Sequence, residues 1–159
     1  MSSDRTPAGD AFATFAISVL RLAGHLQTAG DALAKPAGQT SARWQVLAAA
    51  AHAPMSVADA GRALGMTRQG VQRVADLLEK DGLVAYAENP AHQRAKLMVL
   101  TDDGVAALTA IRARQAVWAN ALGGLLGEKD IQAATRTIAA ALQVVEKQTV
   151  PDDRDRASL

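Results

Sequence analysis

The 159-residue chain contains no cysteine, and that one absence removes disulfide frameworks, thiolate zinc sites and thiol redox sensing together. Aromatic residues are nearly as scarce, 3% against 49% hydrophobic overall, so a core has to be assembled from Ala, Leu, Val and Ile. Alanine in that quantity favours helix. Missing too is any apolar run near the roughly 18 residues that a membrane span requires. The opening segment "MSSDRTPAGD" holds no apolar stretch that could act as a signal peptide, so the expectation is a soluble cytoplasmic protein with no membrane partner. His25, His52 and His92 are scattered without metal-ligand spacing, and no HExxH, P-loop, GxSxG or dinucleotide fingerprint occurs. An enzyme, a metal and a cofactor are therefore not expected.

Net charge is only +1, which does not by itself announce a nucleic-acid partner. The charge is unevenly spread, however. Residues 40–100 carry seven cations against five anions, and Arg62, Arg68 and Arg73 follow one another with no acid between Asp59 and Asp76.

Periodicity divides the chain. Residues 1–9 show none and read as a flexible N-terminus. Phe12, Phe15, Val19, Leu22, Leu26, Ala29 and Leu33 then alternate steps of three and four, a heptad seam on a long helix within residues 10–38. Thr40 or Ser41 can cap a second helix that Pro54 ends. "SVADAGRALG" opens with Ser56 and Asp59 at capping-box spacing and closes on Gly65, a residue suited to a helix C-terminus. Thr67 can cap the next helix, which runs to Asp81-Gly82. Two short helices around a tight turn make a helix-turn-helix. "LVAYAE" and "AKLMVLT" are strand-like, with a turn-forming Asn-Pro between them, so a β-hairpin wing follows. Residues 39–100 thus read as a winged helix-turn-helix. Residues 101–148 return to helix: Leu108, Ile111, Trp118 and Leu122 share one seam, Gly123-Gly124 and Gly127 weaken or break it, and a last helix places Ile131, Ile138 and Val145 on one face. The charged tail, residues 149–159, reads as disordered. The expected fold is mainly α, a winged helix-turn-helix with a small hairpin wing, flanked by long N- and C-terminal helices. Their seams are more than the central module can cover, which predicts a homodimer held by Phe12, Phe15, Val19, Leu22, Ile131, Ile138, Leu142 and Val145.

On the second helix of the pair, Gln69, Gln72, Arg73 and Asp76 recur along one stripe while Val71, Val74, Ala75 and Leu78 recur on another. A helix that reads DNA lies in the major groove with its first residues at the base edges. Arginine there suits guanine O6/N7 and glutamine suits adenine N6/N7, so Arg68, Gln69, Gln72 and Arg73 are the residue types such a helix needs. Thr67 and the free N–H groups of the first turn can hold a phosphate. Gly70 costs the helix about 0.5–1 kcal/mol relative to alanine, explicable if that turn passes close to DNA or to the preceding helix. Arg94, near the hairpin tip, suits the adjacent minor groove, and Lys96 a phosphate. The partner expected from these residues is double-stranded DNA. The alternative is a winged helix used only for protein contacts, although such modules usually expose apolar or acidic side chains on that helix.

The segments "TSARWQVLAAAA", "SVADAGRALGMTRQGVQRVADLLEKDGLV", "ENPAHQRAKLMVLTDDG" and "IRARQAVWANALGGLLGEKDI" together resemble the multiple-antibiotic-resistance regulator (MarR) family over nearly the whole chain. The resemblance implies a dimeric transcription regulator, commonly a repressor, on palindromic operator DNA. It also implies release by a small, often aromatic or anionic, effector bound between the dimer and DNA-binding regions. Arg73 and Arg94 match the family's recognition-helix and wing arginines. Two positions before the wing arginine the family has an acid, where this chain has His92. Protonated, His92 would repel Arg94, so DNA binding is expected to be pH-sensitive. Near the implied effector junction stand His25, Arg43, Trp44 and Trp118, although both tryptophans also suit a core.

Overall fold

The computed structural model describes residues 5–92 and 94–148; the tail expected to be disordered lies outside the described residues. The chain divides into two units, one reaching to Gln115 and the other starting at Ala116.

Helix α1 spans Pro7–Ala34, so it begins inside the segment expected to be loose. Thr6 explains the early start: its Oγ1 accepts from Gly9 N at 3.1 Å, and Pro7 at the first helical position needs no amide partner. Apolar periodicity could not register a first turn made of Pro7, Ala8 and Gly9. A 3-10 turn at Lys35–Ala37 and Gly38, at φ 70°, close the helix. Helix α2, Ser41–His52, is capped by Thr40 and joined to α1 where Asp31 Oδ1 accepts from Ser41 N at 2.6 Å.

Strand β1, Met55–Ser56, was not expected, being too short to show a period. Helix α3, Val57–Leu64, is capped by Ser56 and closed by Gly65 at φ 63°. Helix α4, Arg68–Lys80, is capped by Thr67. A Cβ at Gly61 would stand 2.9 Å from Met66 O, so the turn between α3 and α4 rests directly on α3's backbone. Strands β2 (Val84–Ala87) and β3 (Leu97–Leu100) form the hairpin in the register Val84↔Leu100 to Ala87↔Leu97. Strand β1 adds to the other side of β3, Met55 opposite Met98, giving an antiparallel sheet of order β1-β3-β2.

Helix α5, Asp102–Leu126, is latched to the hairpin at its start. Thr101 Oγ1 donates to Gly82 O at 2.6 Å and accepts from Gly104 N at 3.1 Å. Gly104 itself packs against backbone, since a Cβ there would collide with Leu83 O. One core joins Val46, Leu47 and Ala50 of α2, Val57 and Ala60 of α3, and Val71, Ala75 and Leu78 of α4; it continues through Val84, Met98 and Leu108. Each fully buried Leu or Val in it contributes about 1.5–3 kcal/mol. The molecule is a winged helix, as the periodicities indicate.

In the second unit, α5 continues through Gly123-Gly124 and breaks only at Gly127, at φ 85°. Helix α6, Glu128–Lys147, buries none of its residues: Ile131, Leu142 and Val145 are exposed and Ile138 is half-buried. On α1, in the first unit, Phe12 and Leu22 are likewise half uncovered and Phe15 and Val19 partly so; the Phe12 and Phe15 rings stand 6.2 Å apart.

The α3 cap carries a pH prediction. Ser56 Oγ donates to Asp59 Oδ2 at 2.6 Å and accepts from Asp59 N at 3.2 Å. That hydrogen bond, opposed by desolvation and helped by the Arg62 charge, holds the Asp59 carboxyl below its usual range. A depressed folded pKa adds stability that is present at neutral pH and lost as pH falls through the folded value. Ser56→Ala should therefore lower stability at neutral pH in urea titrations, and the deficit should narrow in acid. A deficit independent of pH would show that the carboxyl plays no part.

Candidate nucleic-acid interface

The rotation of α4 is fixed by Val71, Ala75 and Leu78, all at 0% exposure. The opposite stripe is thereby turned outward, with Arg68, Gln69 and Arg73 exposed and Gln72 half-buried. Thr67 Oγ1 accepts from Gly70 N at 3.0 Å, which leaves its hydroxyl proton and the earlier first-turn N–H groups for a phosphate. A Cβ on Gly70 would meet only Thr67 Oγ1, at 3.0 Å. Contact with the preceding helix therefore does not account for this glycine.

The wing approaches from the side of β2 and β3. Its loop is shaped by Asn89, whose Oδ1 accepts from Ala91 N at 3.0 Å and whose carbonyl accepts from His92 N at 3.1 Å. The loop brings Arg94 and Lys96 to a shared concavity of about 380 Å³ with Arg68, Gln72, Tyr86 and Ser56. Glu79 also borders it. Four of the seven residues expected to touch DNA, Arg68, Gln72, Arg94 and Lys96, are thus gathered in one place. Gln69, Arg73 and Thr67 lie along the exposed start of α4 outside that concavity.

Electrostatics sort the cations. Arg62 is paired with Asp59, and Arg43 with Asp81 at the end of α4. Arg68, Arg73, Arg94 and Lys96 form no ion pair among the described residues. The cationic stretch seen in the sequence therefore divides: Arg62 is paired within its own helix, while Arg68 and Arg73 have no ion pair among the described residues.

Tyr86 and Asp76 are the residues that sequence reasoning left without a role. Gln72 Nε2 donates to Asp76 Oδ1 at 2.6 Å and to the Tyr86 hydroxyl at 3.1 Å. The hint was available in strand alternation, because Tyr86 lies two residues after buried Val84 and on the same face. Burial pushes the Tyr86 phenol above its usual pKa; the Gln72 hydrogen bond works against this, and the Asp76 and Glu79 charges add to it.

A second hollow of about 520 Å³ lies between α1, α2 and the first part of α5, bordered by Leu26, Trp44, Gln45, Arg112 and Gln115. Of the residues expected near an effector, Trp44 lines it. Arg43 faces Asp81 instead, and exposed His25 is not among its lining residues. Trp118 falls in the second unit, where it is half-buried. Arg112, which the sequence did not single out, supplies the cation that borders the hollow.

The family model described as "MarR family" matches residues 37–95. The chain is 40% identical over 124 residues to an uncharacterised protein of Mycobacterium tuberculosis, covering 78% of this chain and 87% of that one. It is 29% identical over 140 residues to the transcriptional activatory protein BadR of Rhodopseudomonas palustris, covering 82% of this chain and 76% of BadR. Among solved structures, it is similar to the M. tuberculosis transcriptional regulator MOSR in complex with DNA. The TM-score is 0.68 at 25% identity, with 82% of this chain and 95% of that one covered.

Tyr86 is the chain's one tyrosine, so its titration is directly visible in the near-ultraviolet absorbance. The midpoint should lie above that of a free phenol, and Asp76→Asn should lower it by removing a charge that raises it. A midpoint unmoved by Asp76→Asn would contradict the arrangement around Gln72.

Proposed function

The chain belongs to the MarR family of transcription regulators, and from that premise we propose that it acts as a homodimer reading an inverted repeat in double-stranded DNA. The observation that carries this reading is the set of uncompensated cations, Arg68, Arg73, Arg94 and Lys96, on one recognition helix and its wing. Arg73 reads a base edge, Arg94 enters the neighbouring minor groove, and Lys96 and Thr67 hold phosphates. A second copy covers the apolar side chains that α1 and α6 leave exposed, among them Phe12, Leu22, Leu142 and Val145. Half-sites about 10 bp apart follow from that symmetry. The hollow bordered by Trp44 and Arg112 takes a small aromatic anion, the indole stacking on its ring and the guanidinium meeting its charge. Such binding releases the DNA, and the resting action is repression. BadR is by its name an activatory protein, so the direction of control is itself a variable to be measured.

Selection of bound fragments from sheared DNA of the source organism tests the whole. The wild type should enrich one inverted repeat. Arg73→Ala should lose about 1–3 kcal/mol of affinity and relax the preference at one base pair of each half-site. Leu22→Asp should sediment as a monomer and enrich nothing. Transcription from the selected promoter should fall when the protein is added, and a rise would class it with the activatory relative. For the hollow, Trp118→Phe leaves Trp44 as the sole tryptophan. Its fluorescence should respond to aromatic carboxylates, and the response should disappear with Arg112→Ala. If Arg112→Ala quenches like the parent, the anion is not bound there. Folded dimer that enriches no sequence would leave the winged helix to a protein partner.

A further inference from the structure

Gln72 has less to offer DNA than its residue type suggests. Its Nε2 stands 2.6 Å from Asp76 Oδ1 and 3.1 Å from the Tyr86 hydroxyl. The orientation of the carboxamide follows from chemistry, because a carboxylate only accepts and the atom facing it must be the nitrogen. An amide nitrogen carries two hydrogens, and here two acceptors engage both. Oε1 remains. It accepts no hydrogen bond among the described residues. The glutamine expected to grip adenine with a donor and an acceptor together presents an acceptor alone.

We propose that Gln72 reads its base pair through Oε1 only, selecting a base with an exocyclic amine in the major groove, and that Tyr86 is the positioning residue that withholds the second donor. The inference rests on the proposed reading of DNA by α4. Adenine offers N6 and cytosine N4 as donors, whereas guanine and thymine present only acceptors on that edge apart from the thymine methyl. Guanine O6 or thymine O4 opposite Oε1 would set two acceptors against each other. Adenine and cytosine are then both admitted, and adenine N7 goes unread. That pattern differs from the adenine-specific grip of a free glutamine. Tyr86 can exert this control because it stands on β2, fixed by the pairing of Val84–Ala87 with Leu97–Leu100. The wing thus sets what the recognition helix can recognise.

Duplexes selected from a random pool by the full-length wild type and by Gln72→Ala give the first test. One position per half-site should admit A and C together on one strand, which is T and G on its complement, for the wild type and be indifferent for the variant. A requirement for adenine alone, a position restricted to purines or to pyrimidines, or no position that depends on Gln72, overturns the proposal. Base analogues in the selected duplex give the second. Removing the amine, with purine for adenine or pyrimidin-2-one for cytosine, should weaken wild-type binding roughly threefold to tenfold. With adenine at that position, 7-deazaadenine should bind like adenine. An equal loss from both adenine analogues would mean that both edges are gripped, against the proposal. Tyr86→Phe frees one N–H, so this variant should prefer adenine over cytosine and become sensitive to 7-deazaadenine; continued indifference would remove Tyr86 from the account. A wild type that selects no sequence fails at the DNA reading itself, an outcome distinct from selecting the wrong base.

Discussion

Helix α4 has one rotation available to it. Val71, Ala75 and Leu78 recur at the helical period and are all fully buried against α2 and α3, so turning the helix by a single residue would expose them. At about 1.5–3 kcal/mol for each large aliphatic side chain, that exposure costs a sizeable part of a domain's net stability. The apolar stripe therefore determines which polar side chains face outward. Two glycines set the neighbouring elements to match. Gly61 lets the turn before α4 lie on α3, and Gly104 lets α5 start against the backbone at Leu83. Both approaches are too close for a Cβ, so the turn before α4 and the start of α5 are each set by direct backbone contact.

With that frame fixed, the chemistry of the surface is decided by which charges are already matched. Asp59 takes Arg62 and Asp81 takes Arg43, while Arg68, Arg73, Arg94 and Lys96 keep theirs. A chain with a net charge of only +1 can in this way show DNA a locally cationic face. The same logic separates two hollows of the first unit. The one beside α4 and the wing is bordered by Arg68, Arg94 and Lys96 around polar Gln72 and Tyr86; the one beside α1 and α2 is apolar with Arg112 at its border.

Much of this was legible in the sequence because it is local. The caps at Thr40, Ser56 and Thr67, the helix end at Gly65 and the hairpin around Asn89-Pro90 are each written within a few residues, and the structure forms them all. Features that depend on distant partners were not legible. Strand β1 exists because Met55 finds Met98, and no two-residue segment carries a period. Arg43, an effector candidate by its place in the sequence, is held by Asp81, far along the chain. Gln72 looked like a free two-pronged reader until Tyr86 came across from the wing. Gly123-Gly124 and Gly127 could each weaken or break the helix; helix propensity penalises a glycine by about 1 kcal/mol without forbidding it, and of the three Gly127 adopts the backbone angle that ends the helix.

The central claim is that the four unmatched cations of each copy meet phosphates and bases of a DNA duplex. Operator affinity measured between 50 and 200 mM salt tests it most directly, with Lys96→Ala alongside. Counterion release predicts a linear fall of log affinity with log salt, at a slope of about −0.9 for each phosphate a cation neutralises, made shallower by one to two units in the variant. An affinity that barely changes with salt, or a Lys96→Ala slope identical to wild type, would contradict the assignment of this face to DNA.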